Sequence, residues 1–231
     1  RIVRIGIIIT TKGNFKHMKL IDMVVTDYLN IVASDAPAPG GGSAAAFCGA
    51  QGTGLVTMVA GQTAVKKSYE ADWPLCHEII EQGKKIYDEL TAQVDRDTDA
   101  YNLVAAAFKM PKATDEEKAV RRKAIADATL VATEVPFETL RLSVAALELA
   151  DRMLGHYNTN CASDLGVGGL NLHTCVHGAW LNVLINLLRS IPFLILMIMV
   201  FPLSRLIIGT TVGTRATIVP LVVAAFPFVA R

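Results

Sequence analysis

The chain has 231 residues, enough for one domain with a substantial core. A net charge of +1 leaves no basic footprint for nucleic acid, so no nucleic-acid partner is expected. Hydrophobic residues reach 52% and mean hydropathy is +0.40, and the excess is uneven. Residues 18–186 alternate charged and apolar faces, whereas 187–231 hold no Asp or Glu and only Arg189, Arg205, Arg215 and Arg231 as charges. The four cysteines, with no CxxC pair, read as reduced thiols and predict a cytoplasmic protein. Ile5 to Thr10 is too short an apolar run for a secretory signal.

Residues 1–17 read as an extension that begins with a short β-branched strand, Arg1 to Thr10. Lys19 to Val32 is predicted to be an amphipathic helix with Leu20, Val24, Tyr28 and Ile31 on one face. Pro37-Ala38-Pro39-Gly40-Gly41-Gly42-Ser43 follows. Its prolines hold the entry extended, its glycines allow a tight turn, and Ser43 is predicted to cap a small-residue helix from Ala44 to about Ser68. Such a turn presents backbone N–H groups at a helix N-terminus, a place suited to an anion. A turn that only starts a helix explains the same residues.

Asp72 to Phe108 is predicted to be one long helix, with a stripe of Ile79, Gly83, Ile86, Leu90, Val94, Tyr101, Val104 and Phe108. At about 100° per residue Asp97 falls near the centre of that stripe, while Asp95 and Asp99 fall well off it. An acid there must be paired, hydrogen-bonded or neutral, either as a structural group or as a functional one. Lys109 to Lys112 breaks the helix, and Thr114 with Glu117 forms a capping box for the next. Pro136 should kink or split that helix, whose stripe resumes at Phe137 and runs to about Leu154. After a polar loop, Ser163 is predicted to cap a helix from Leu165 to Leu187, with Asp164 in its first turn. His173, Cys175 and His177 invite a metal, but no third or fourth ligand has convincing spacing, and no metal site is expected. Asn182 and Asn186 sit one turn apart, fit to bridge helices or to bind a polar ligand.

PAPGGGSAAA at 37–46, VDRDTDAY at 94–101, KMPKATDEEK at 109–118, SDLG at 163–166 and GAWLNVLINL at 178–187 occur in one order. Together they resemble the cyclodeaminase/cyclohydrolase family of folate enzymes, over about Met18 to Leu187. The resemblance implies an all-α, up-and-down helical bundle acting on one-carbon tetrahydrofolates. The implied reaction is conversion of 5-formiminotetrahydrofolate to 5,10-methenyltetrahydrofolate and ammonia. The alternative is hydrolysis of the methenyl compound. It further implies a homodimer, and a folate substrate with no separate cofactor. Asp97 and Asp164 become the catalytic carboxylates. Gly40, Gly41, Gly42, Ser43, Lys112, Asn160 and Asn182 become substrate-binding residues, with Lys112 meeting an acidic glutamate tail. Where the family would continue into a polar segment and a charged helix, residues 188–231 form an apolar segment instead. From 187 onward the chain is similar to the middle of a methionine-type ABC importer permease. This leaves open an inactive fusion or a membrane-associated fragment, with membrane contact only through 188–231.

Overall fold

The computed structural model describes residues 19–190, 193–209 and 217–229, and every described element is helical. The strand expected at Arg1 to Thr10 lies outside the described residues. The first expected helix is divided: a 3-10 turn at Leu20–Asp22 precedes α1, Val25–Val32. Only Leu20 and Tyr28 of its face are buried, against Ala46 and Val94, while Val24 stays exposed.

Four long helices follow, α2 (Gly41–Ala64), α3 (Trp73–Phe108), α4 (Asp115–Arg152) and α5 (Ala162–Ser190). Each packs on its neighbour in the order α2, α3, α4, α5 and back to α2, which makes an up-and-down four-helix bundle. Val56, Val59, Ile79, Leu149, Met153 and Leu172 fill its centre. The small residues of α2 let α5 approach antiparallel. A Cβ on Gly52 would stand 2.8 Å from the Gly168 carbonyl oxygen, closer than a side chain fits. Two further helices, α6 (Phe193–Ile208) and α7 (Ile218–Val229), pack on each other, and α7 touches α5.

Two helix starts differ in detail from expectation. Gly40, with extended backbone, is the N-cap of α2, so Ser43 lies inside the first turn rather than capping it. The helix α5 begins at Ala162, directly after a 3-10 turn at Thr159–Cys161. Asn158, not Ser163, is the capping side chain there; it accepts from the Asn160 N–H at 3.2 Å. The Thr114–Glu117 capping box opens α4 as expected.

Pro136 does not split α4, which runs unbroken through it. Proline offers no N–H to the carbonyl one turn earlier, that of Ala132. Asn186 of α5 donates its side-chain amide to that carbonyl at 2.7 Å. Asn186 is therefore the bridge between helices that its position allowed.

Candidate active site

The helix α2 begins beside Asp97 of α3. The Ser43 N–H donates to Asp97 Oδ2 at 2.8 Å, and the Ser43 hydroxyl reaches the same oxygen at 3.0 Å. Ser43 is the third helical residue of α2, so its N–H has no acceptor within the helix. A carboxylate from a neighbouring helix thus closes the N-terminus of α2, where the helix dipole favours negative charge. The Ser43 hydroxyl also lies 3.2 Å from Thr98 Oγ1.

The second oxygen, Oδ1, is accepted into space that only a glycine leaves. A Cβ on Gly42 would land on the Asp97 carboxylate. Among the described residues no protein donor reaches Oδ1 within hydrogen-bond distance. Burial raises the Asp97 pKa above the ordinary carboxylate value, and the two bonds from Ser43 pull it part of the way back. One oxygen is fixed and the other is free to exchange a proton, an arrangement suited to general acid–base work.

The α3 stripe explains why Asp97 stands at an edge. Ile79, Leu90 and Val94 are buried, but Tyr101 and Phe108 are exposed, against expectation. The reason is that α2 starts at the level of Asp97, so nothing of α2 covers α3 beyond it. Asp95 lies off the stripe and does a different job: its Oδ1 accepts the Leu20 N–H at 2.6 Å and ties the N-terminal turn down.

Other expected site residues divide between the two ends of the bundle. Asn182 lies at the Asp97 end; its amide nitrogen would be 3.8 Å from a Cβ on Gly41, and it donates to the Gly178 carbonyl at 2.8 Å. Lys112 is exposed in the α3–α4 loop, beyond Phe108, which is about 16 Å along the helix axis from Asp97. Asp164 and Asn160 are at the far end. Eighteen residues of α5 separate Asp164 from Asn182, about 27 Å of helix. Within one chain these two do not meet Asp97.

The far end has its own polar network. Asn158 is buried; its N–H goes to Thr63 Oγ1 at 2.9 Å and its Oδ1 accepts from Lys66 Nζ at 3.0 Å. No spacing rule pointed to Asn158. Tyr28, expected only as an apolar face member, carries a buried polar atom as well. Its ring stacks on Phe47 at 5.2 Å, and its buried hydroxyl has no hydrogen-bond partner. Burial, Cys48 and Asp97, in that order, raise its pKa. A tyrosine in a phenylalanine-like position was the available signal.

A four-helix bundle with a half-buried carboxylate held on a glycine-started helix N-terminus defines a class: an all-α protein with an acidic side chain built into a helix end. The formiminotransferase-cyclodeaminase sequence model matches residues 24–191, and the chain belongs to that family. It is 38% identical to the methenyltetrahydrofolate cyclohydrolase of Methylorubrum extorquens over 165 residues, 70% of this chain and 78% of that one. It is 37% identical to the formimidoyltransferase-cyclodeaminase of Gallus gallus over 161 residues, 69% of this chain but 30% of that longer protein. The solved formiminotetrahydrofolate cyclodeaminase of Thermotoga maritima aligns with TM-score 0.65 and 27% identity, over 73% of this chain and 80% of that one. Separately, 51 residues are 61% identical to a probable D-methionine transport permease of Pasteurella multocida, 22% of this chain and 24% of the permease.

Proposed function

We propose that the chain is a folate one-carbon enzyme, a 5-formiminotetrahydrofolate cyclodeaminase in which Asp97 carries the proton. The Asp97 geometry is the observation that carries this reading: a carboxyl with a raised pKa, one oxygen held by Ser43 and one free. In the reaction N10 of the folate attacks the carbon of the protonated formimino group and a C–N bond forms. Asp97 takes the proton N10 loses. The same carboxyl then gives a proton to the departing nitrogen, the second C–N bond breaks, and ammonia leaves. Electrons and atoms balance with no redox partner, so no cofactor is needed.

The N–H groups of Gly41 and Gly42 have no carbonyl one turn earlier to bind, and suit a carbonyl or carboxylate of the substrate. Gly40 shapes the turn, and Asn182 adds an amide beside it. Lys112, at the same end of the bundle, suits an acidic tail.

A homodimer is part of this proposal. Phe47 and Met58 on α2, Val65 just after it, and Leu170 and Leu181 on α5 leave apolar side chains exposed. Asp164 and Asn160 would join an Asp97 site only from a second copy. Light scattering on the purified protein tests the dimer.

The similarity to a stand-alone cyclohydrolase over 78% of its length favours a second reading, hydrolysis of 5,10-methenyltetrahydrofolate. There water attacks the methenyl carbon and the same carboxyl accepts its proton; one ring C–N bond then breaks, its nitrogen takes that proton, and the hydroxyl loses its own to solvent as the formyl carbonyl forms. Absorbance at the methenyl band, with formimino- and methenyltetrahydrofolate supplied in turn, separates the two. Methenyl product with ammonia release supports the cyclodeaminase. Loss of the methenyl band faster than the spontaneous rate supports the cyclohydrolase. Neither signal from a folded protein would support an inactive fusion.

We place the folate domain in the cytoplasm, in keeping with its four free thiols. Membrane contact is proposed only through 188–231. On α6, Ile198, Met199, Leu206 and Ile207 are all exposed and apolar. Sedimentation of a lysate with and without detergent tests this.

A further inference from the structure

We propose that His173 and His177 of α5 form an open, two-ligand site for a divalent transition-metal ion such as Ni²⁺, Cu²⁺ or Zn²⁺. Two ligands fall short of the closed set that a structural metal site needs. The structure removes Cys175 from consideration: it is fully buried, on the opposite face of α5. Among the described residues no group of three or more metal-ligating side chains occurs, so a closed site is absent there.

What remains is the geometry of the two imidazoles. They stand one turn apart, both exposed, with Nε2 atoms 3.1 Å apart and rings tilted at 55°. Two metal–nitrogen bonds of about 2.0–2.1 Å spanning that gap meet at an angle of about 100°. This lies between the right angle of a square-planar or octahedral ion and the wider angle of a tetrahedral one. The helix backbone sets the spacing in advance, so little ordering is needed to bring the second ligand to an ion held by the first. Imidazole nitrogen is a ligand type that suits zinc, copper and nickel. Water fills the remaining positions, so the site holds an ion weakly and exchanges it.

The face also carries its own reporter. Trp180 follows His177 by three residues and His173 by seven, which keeps it on the same side of α5, and it is 50% exposed. A bound paramagnetic ion quenches its fluorescence.

The test is titration of the full chain with NiCl₂, read by tryptophan fluorescence and calorimetry. The expected result is saturable quenching at one ion per chain, reversed by EDTA and displaced by excess ZnCl₂. His173→Gln and His177→Gln each raise the apparent Kd by at least about tenfold, because one imidazole loses the effective concentration of the other. His156→Gln, at the other end of the bundle, leaves binding unchanged. The exposed ligands make both variants safe for folding, and near-ultraviolet circular dichroism checks it. No saturable quenching in the wild type would overturn the proposal. So would quenching that persists in His173→Gln and His177→Gln.

Discussion

Ser43 and Asp97 meet across 54 residues of sequence, and the meeting fixes only half of the carboxylate. Both Ser43 donors converge on Oδ2, while Oδ1 rests over Gly42. Because those bonds favour the ionised form, removing the hydroxyl strips away part of what holds the Asp97 pKa down. In Ser43→Ala the acid limb of the kcat/KM profile moves to higher pH. A pH–rate series on the wild type and variant checks the direction.

The raised Asp97 pKa has a consequence for stability. Its folded pKa lies above the unfolded value near about 4, so the folded state holds the proton more tightly. The associated stability is present at low pH and is lost as pH rises from about 4 through the folded pKa. Asp97→Asn keeps a neutral side chain at every pH. Its melting temperature relative to wild type therefore rises between about pH 4 and pH 7. Thermal unfolding at both ends of that window measures the difference.

Gly42 tests the space under Oδ1. Gly42→Ala drives a methyl into the carboxylate, so either α2 or Asp97 must shift. The expected cost is about 1–3 kcal/mol of stability, with a loss of turnover larger than that of a surface substitution. Denaturant unfolding and an activity assay on one preparation measure both.

Asn186 and Pro136 form a pair that a double-mutant cycle can isolate. Asn186→Leu leaves the Ala132 carbonyl with no donor, at a cost of about 1–3 kcal/mol. Pro136→Ala restores the backbone N–H that the carbonyl lacks. Asn186→Leu should therefore cost measurably less in the Pro136→Ala background. Equal costs in both backgrounds would mean the side-chain bond does not replace the missing one.

Tyr28→Phe removes a buried hydroxyl that has no partner. Stability should be unchanged or higher by up to about 1 kcal/mol, since the ring keeps its stack on Phe47 and only the desolvated oxygen goes. A clear loss would mean that the hydroxyl is bonded in solution. Urea unfolding decides between them.

The sequence was most legible where the physics is local. The Thr114–Glu117 box and the Ile79 to Val94 stripe follow from neighbours three and four residues apart, and both stand in the structure. The stripe also picked out Asp97 among three nearby acids, because helical periodicity orients a side chain before its partner is known. What stayed hidden depends on distant pairing. Ser43 looks like a cap until Asp97 takes both its donors, and Tyr101 looks like core until α2 proves to start too late to cover it. Asn158 and the Asn186 bridge join segments tens of residues apart, which no window of sequence can display. Asp164 and Asn160 fit the family's motifs but lie at the far end of the bundle, because motif order carries no information about which end of a helix a residue occupies.

The most direct test of the account is turnover of Asp97→Asn on 5-formiminotetrahydrofolate and on 5,10-methenyltetrahydrofolate, at a pH where the wild type is most active. Asparagine keeps the shape and can still accept from Ser43, but it cannot carry a proton. Proton transfer by Asp97 predicts a kcat lower by at least about a hundredfold in a variant that still unfolds cooperatively on heating at pH 7. A folded variant that keeps near-full turnover on the wild type's substrate would contradict it.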